Sequence, residues 1–187
     1  VSIDLGTGDG RLPYRLAREA PERLFVGIDA NAAGLIRFSG RAVRAGLPNV
    51  LYVRAAVERL PSALAGVADR VSVVLPWGSL LAAVAGRSAA VLQGVRALCQ
   101  SGARLTVVLG LDPARDRAEI LRLGLPPLTD ARFGDDLGVG YAAAGFSLIS
   151  VRPMGRDQLA RLPSTWARRL AHGGDRSLLR IEARAAG

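Results

Sequence analysis

Short apolar runs alternate with amphipathic stretches along the whole chain. "VSIDLG" (1–6), "RLFVGIDA" (23–30), "NVLYVRAA" (49–56), "DRVSVVLPW" (69–77), "ARLTVVLGL" (103–111), residues 146–153 and "RSLLRIEARA" (176–185) each read as a strand. "RLPYRLAREA" (11–20), a segment from Asn31 to Ala45 and "AAVLQGVRALCQ" (89–100) place apolar residues at helical spacing. Strands alternating with helices predict an α/β fold, a mostly parallel sheet with helices on both faces. Short runs such as "VSVVL" predict strands buried on both sides. No linker, repeat or low-complexity segment divides the chain, so residues 1–187 read as a single domain. Two connections are long, Asp112 to Phe133 and Gly155 to Arg176. Long connections in a compact domain carry function, and these are expected to contact substrate.

Charge narrows the class of partner. The net charge is +9, the pI is about 11.3, and all 25 basic residues are arginine. Such an excess suits a polyanion. Cys99 is the only cysteine, which excludes a disulfide within the chain and favours a reducing cytoplasm. The ligands for a zinc cluster are lacking, no apolar run reaches membrane-spanning length, and no signal peptide is visible. The chain opens inside a strand without an initiator Met, so residues before Val1 are expected in the natural protein.

The first strand runs directly into "DLGTGDG" (4–10), where glycines at 6, 8 and 10 allow a tight turn against a ligand. A dinucleotide fingerprint would need glycine at position 11, which is Arg11. A cofactor without a pyrophosphate therefore fits better than NAD. Gly6, Thr7 and Gly8 would line it. Asp29 ends the second strand, where an acid can accept from both ribose hydroxyls. Glu58 follows the third strand and can edge an adenine. Asp4 and Asp9 can face an ammonium. Together these features describe S-adenosylmethionine better than NAD or ATP.

"LPSTWARRLAHGGDRS" (162–177) sets Trp166, one of only two tryptophans, beside Arg168 and Arg169. A core tryptophan wants apolar neighbours, whereas this one suits a flat, anionic ligand such as a nucleotide. His172, the only histidine, reads as a capping or packing residue. Arg15 and Arg18 read as a solvated helix face. Arg41 and Arg44 share a helix face and are expected near the end of the second strand.

"DLGTGDGR", "GID", "GLPNV", "AAVERLP", "LPWGSLL", "RAEILRLGLPPL", "STWARRLAHG" and "RSLLR" resemble the aminoglycoside-resistance 16S rRNA (adenine-N1) methyltransferase family over nearly the whole chain. The resemblance implies a class I S-adenosylmethionine-dependent methyltransferase with a Rossmann-like seven-stranded sheet. It implies as substrate the decoding-site adenine of 16S rRNA within the assembled 30S subunit, with the enzyme acting as a monomer. Trp77 and Trp166 match the two tryptophans that hold the flipped adenine. Family cofactor contacts fall on Asp4, Gly6, Asp29, Val57, Glu58, Ser79 and Ser164, and RNA contacts on Arg41, Arg44, Arg169 and Arg176. A family acid matches Asp116. A family arginine position holds Leu123, with Arg122 beside it. The chain departs from the family in a shorter basic segment after the second strand, in Gly174 where a basic residue is expected, and in lacking a short β-hairpin before the first strand. Adenine N1 carries a lone pair at neutral pH, so the reaction needs positioning rather than a general base. Two other readings stay open on the residues: a tRNA guanine-N7 methyltransferase, and a cofactor-binding RNA-binding protein without catalysis.

Overall fold

In the computed structural model, which describes residues 1–128, 132–171 and 176–187, the expected alternation is present. The chain runs β1 (Ser2–Leu5), α1 (Arg11–Glu19), β2 (Phe25–Asp29), α2 (Ala32–Arg44), β3 (Val50–Arg54), β4 (Ala68–Val74), α3 (Gly78–Val84), α4 (Ala89–Ala97) and β5 (Cys99–Leu111). It continues through α5 (Arg117–Leu123), α6 (Arg132–Ala143), β6 (Phe146–Pro153), α7 (Arg156–Arg161), α8 (Thr165–Leu170) and β7 (Ser177–Ala185). Two 3-10 turns, Val57–Arg59 and Ser62–Leu64, follow β3. The seven strands form one sheet in the order β3-β2-β1-β4-β5-β7-β6. β1 to β5 are parallel, and β7 lies antiparallel between β5 and β6.

Alternation along the central strands sorts the core into two faces. On β5, Leu105, Val107 and Leu109 point into the main core, with Leu81, Leu92, Val95 and Tyr141 of α3, α4 and α6. Val108 points the other way and meets Leu159 of α7 and Ala167 of α8. Phe25 of β2 meets Ala17 of α1 and Ala42 of α2 in a third cluster. By register Phe25 pairs through Ser2 and Arg70 with Arg104, which shares the face of Val108, so α1, α2, α7 and α8 cover one side and α3, α4 and α6 the other.

Several boundaries differ from the sequence reading. β4 ends at Val74 instead of running to Trp77. Leu75 takes φ 53°, the only positive φ of a non-glycine among the described residues, and Pro76 follows. A leucine there is strained, and the turn ends the strand. α3 has no distinct period in "GSLLAAV" because four of its seven residues are buried, so no polar face marks it. The two long connections are not irregular: α5 lies within the first, and α7 and α8 within the second. Among the described residues, no single helix is long and apolar enough to cross a membrane.

The strand order reverses beside β1, whose neighbours are β2 and β4. Connections leave β1 and β4 toward opposite sides, which opens a crevice at the carboxyl ends of these strands. Ligands in open α/β sheets bind at this point.

Candidate active site

Beyond β1 the chain turns through Gly6, Gly8 and Gly10, with φ of 73°, 63° and 76°. The positive φ at Gly6 favours glycine, and a Cβ there would also press on the Leu80 side chain, 2.8 Å from its Cδ2. Asp29 fixes the loop from the neighbouring strand. Its Oδ2 accepts from the Gly8 N–H at 2.7 Å, and its Oδ1 accepts from the Asn31 N–H at 2.8 Å. The Asn31 side chain in turn caps α2 by accepting from the Ala33 N–H at 3.1 Å.

The loop forms the floor of a cavity of about 290 Å³ at the carboxyl ends of β1, β2, β3 and β4. The expected cofactor residues Asp4, Gly6, Thr7, Gly8, Asp29, Val57, Glu58, Ser79 and Ser164 all line it, and so do Trp77 and Trp166. Trp77 immediately precedes α3 and is 55% exposed, while Trp166 on α8 is 56% exposed. Most aromatic rings in a domain of this size are packed away, and two open indoles on one cavity make a stacking site. The Arg169 guanidinium stacks on the Trp166 ring, 5.7 Å from its centroid.

Buried Asp4 lies below the loop and accepts from the Ser72 hydroxyl at 2.9 Å. Burial pushes its carboxyl up to about 6, against the opposing pull of the Thr7 and Ser72 hydroxyls. Thr7 Oγ1 reaches no partner with hydrogen-bond geometry, the only buried side-chain polar atom so placed among the described residues. A costly buried acid on a cavity marks a place completed by a polar, cationic ligand. On the far wall, the Ser79 hydroxyl and the Glu58 backbone hold the exposed Glu58 carboxyl below the usual range. This donor set fits S-adenosylmethionine: an acid for its ammonium at Asp4, acids at Asp29 and Glu58 for ribose and base, and no phosphate cradle.

The chain matches the family model for NpmA, 16S rRNA (adenine(1408)-N(1))-methyltransferase, over residues 1–185. It belongs to this family. The 16S rRNA (adenine(1408)-N(1))-methyltransferase of Streptoalloteichus tenebrarius is 39% identical over 181 residues, 94% of this chain and 82% of that protein. The crystal structure of the aminoglycoside resistance methyltransferase NpmB1 superposes with a TM-score of 0.83 at 43% identity, covering 99% of this chain and 86% of that one. The W203A mutant of the 16S rRNA (adenine(1408)-N(1))-methyltransferase from Catenulisporales acidiphilia, solved with its cosubstrate SAM, superposes at 0.87 with 36% identity, covering 100% and 85%. S-adenosylmethionine is thus the cofactor expected of an NpmA-family chain, and the class I methyltransferase fold is the one observed.

Other expected contacts of the NpmA-family site are placed differently. Asp9 does not line the cavity. Its Oδ1 accepts from the Arg11 N–H at 3.2 Å and its Oδ2 from the Thr165 hydroxyl at 2.7 Å, so it anchors α8 to the glycine loop. Arg176 is not presented to solvent: its side chain is 10% exposed, pairs with Asp116 at 2.6 Å and donates to the Gly110 carbonyl at 2.7 Å. Asp116 also accepts from the Asp112 N–H at 2.9 Å, so both members of this pair serve structure, buckling the loop after β5 to the start of β7. Arg122 spends its charge on Glu119, in two bonds of 2.7 Å. Arg41 and Arg44 occupy the last turn of α2, at the helix end remote from β2's carboxyl edge, because the 13-residue helix carries them away from it. His172 and Gly174 lie outside the described residues.

Sequence reasoning missed Glu119 and Thr165. Buried Glu119 accepts from the Gly78 N–H at 3.1 Å, next to Trp77, while Arg122 holds its carboxyl below the usual range. Neither residue carries a local signal, since each acts through a partner distant in sequence.

Two outcomes follow from these contacts. Removing Arg176 leaves the Asp116 carboxylate buried and unpaired, so Arg176→Ala should lower unfolding free energy by about 3 kcal/mol. Arg169→Ala should leave stability unchanged; equal urea midpoints for the two variants would contradict the assignment. For Asp4, a raised folded value means the folded state binds the proton more tightly than the unfolded chain. Its contribution is full below the ordinary value of 3.8 and lost as pH rises through about 6. Urea unfolding across that window should show stability falling, and Asp4→Asn should flatten that part of the curve.

Proposed function

We propose that this chain methylates N1 of adenine 1408 of 16S rRNA in the assembled 30S subunit, acting as a single copy in the cytoplasm and protecting ribosomes from aminoglycosides. The observation that supports this most directly is the pair of exposed tryptophans on one cavity, which no other part of the site needs. A guanine-N7 reading does not account for the Trp166 segment.

S-adenosylmethionine, when bound, supplies an activated methyl on its sulfonium. Asp4 would hold the ammonium end, Asp29 the ribose and Glu58 the adenine edge of the cofactor, in the cavity that Trp77 and Trp166 also line. N1 lies on the Watson–Crick edge, so the base must leave its stack before it can react, at a cost of a few kcal/mol. Stacking on an aromatic returns roughly 1–3 kcal/mol per base, so two indoles can offset the flip. The N1 lone pair is already free at neutral pH, so the transfer needs positioning and no general base. As the base gains positive charge, the electron-rich indole faces attract it more strongly than they attract the neutral adenine. Arg169, stacked on Trp166, stands at the mouth to meet a phosphate that flanks the flipped nucleotide.

Primer extension on rRNA from treated 30S subunits reads the product, because a methyl on N1 blocks pairing and stops the polymerase. Trp77→Ala or Trp166→Ala should weaken that stop at least a hundredfold, and Phe at either site should keep part of it. Cofactor affinity by calorimetry should stay within a few-fold of the parent. A full-strength stop with both tryptophans replaced by Ala would remove the basis of the proposal.

A further inference from the structure

A second cleft, of about 250 Å³, lies on the other side of α8 from the first. Arg11 and Arg15 of α1, Arg161 at the end of α7 and Arg168 of α8 line it, against a wall of Leu162 and Pro163. Four guanidinium groups around one space repel one another. Among the described residues, the ion pair within 4 Å in this group is Arg15 Nε with the well-exposed Glu19 at 4.0 Å, a weak pair. Among the described residues, Arg11, Arg161 and Arg168 have no ion pair within 4 Å. Asp9 attracts the Arg11 guanidinium from beside the glycine loop, while its oxygens accept from the Arg11 N–H and the Thr165 hydroxyl. Burial first, then the charges of Arg168 and Arg15, hold the Arg11 guanidinium below its ordinary value, and Arg37 of α2 adds to the effect. α1 also has no acid in its first turn; Arg11 stands where the helix dipole favours an anion. Local electrostatic rules broken together in one cleft mark a place where a ligand supplies the missing charge.

The placement says which ligand. α8 is the shared wall: Ser164 and Trp166 face the first cavity and Arg168 faces the second. Two residues turn a helix by about 200°, so the indole and the guanidinium point to opposite sides of one short helix. A polynucleotide whose base enters between the tryptophans must carry its backbone past this helix.

We propose that the Arg11–Arg15–Arg161–Arg168 cleft is a second anion subsite, holding phosphodiester groups of the rRNA strand on the α1 side of the base pocket. Arg15, which reads from sequence as solvated surface, is thereby a substrate contact. The inference rests on the rRNA methyltransferase reading. It predicts that the cleft contributes to docking of the RNA and not to cofactor binding or to the fold.

The test is retention of 30S subunits on filters across a salt series, comparing the parent with an Arg15→Gln/Arg161→Gln double variant. Each phosphate contact contributes roughly 0.7–0.9 to the log–log salt slope. The double variant should have a slope shallower by about 1–2 and bind 30S about tenfold more weakly at physiological salt. Its KM for 30S should rise with kcat kept. Its cofactor affinity should be unchanged, and its thermal midpoint equal to or above the parent's, since repulsion is relieved. Arg104→Gln/Arg184→Gln removes the same charge from an exposed cross-strand pair on β5 and β7, outside the cleft. An equal slope loss in that control would mean that net charge alone acts, and would overturn the subsite. So would an unchanged slope in the Arg15/Arg161 variant. If the parent transfers no methyl to 30S, the functional reading fails on its own. The salt slope on a decoding-site RNA hairpin then decides the cleft in the same way: a shallower slope in the variant supports it and an equal slope overturns it.

Discussion

Both oxygens of the Asp29 carboxylate accept backbone N–H groups, from Gly8 across the crevice and from Asn31 at the start of α2. Hydrogen bonds to a charged acceptor contribute roughly 1.5–3 kcal/mol each. They do more here than stabilise. They fix the left-handed glycine turn at the end of β1 against the end of β2, and everything beyond the turn inherits its position. Asp9 lies one residue past Gly8 and holds the Thr165 hydroxyl, 156 residues along the chain. Through that bond α8 and Trp166 are registered to the same loop that lines the cofactor cavity. The cofactor wall and one wall of the base pocket are therefore a single mechanical unit.

The other wall has its own support. Leu75 breaks β4 with a strained turn, Pro76 stiffens the exit, and Glu119 catches the Gly78 N–H just past Trp77. Glu119 is held in turn by Arg122 on the same helix. The neighbouring Asp116–Arg176 pair ties the connection that carries this helix to β7. Asp116 and Arg176, expected at the RNA, also brace this connection from within. Positive charge close to the base pocket is carried by Arg169, stacked on Trp166, and by the four-arginine cleft behind α8.

What the sequence made legible follows from distance along the chain. Strand ends are local, so the glycine loop, Asp29 and Glu58 could be located from periodicity alone. The tryptophan pair came from resemblance to relatives, because nothing in the spacing of Trp77 and Trp166 says that they share a cavity. Asp9 was expected at the cofactor because its loop is there. Only the packing of α8 shows that its carboxylate faces Thr165. Arg176 looked like surface because it is an arginine in a basic segment, and its burial depends on Gly110 and Asp116, sixty or more residues earlier. Arg41 and Arg44 were placed at the wrong end of α2 because helical spacing gives a face and not a height.

The central claim is that the cofactor loop positions the base pocket through the Asp9–Thr165 hydrogen bond. A double-mutant cycle of Asp9→Ala and Thr165→Val, read as kcat/KM for methylation of 30S subunits with cofactor dissociation constants measured alongside, tests it most directly. The account predicts that Thr165→Val lowers kcat/KM about tenfold, which is about 1.4 kcal/mol, with cofactor affinity unchanged. It also predicts that the double variant is little worse than Asp9→Ala alone, giving a coupling energy near 1 kcal/mol or more. Additive losses, or a Thr165→Val variant as active as the parent, would contradict it.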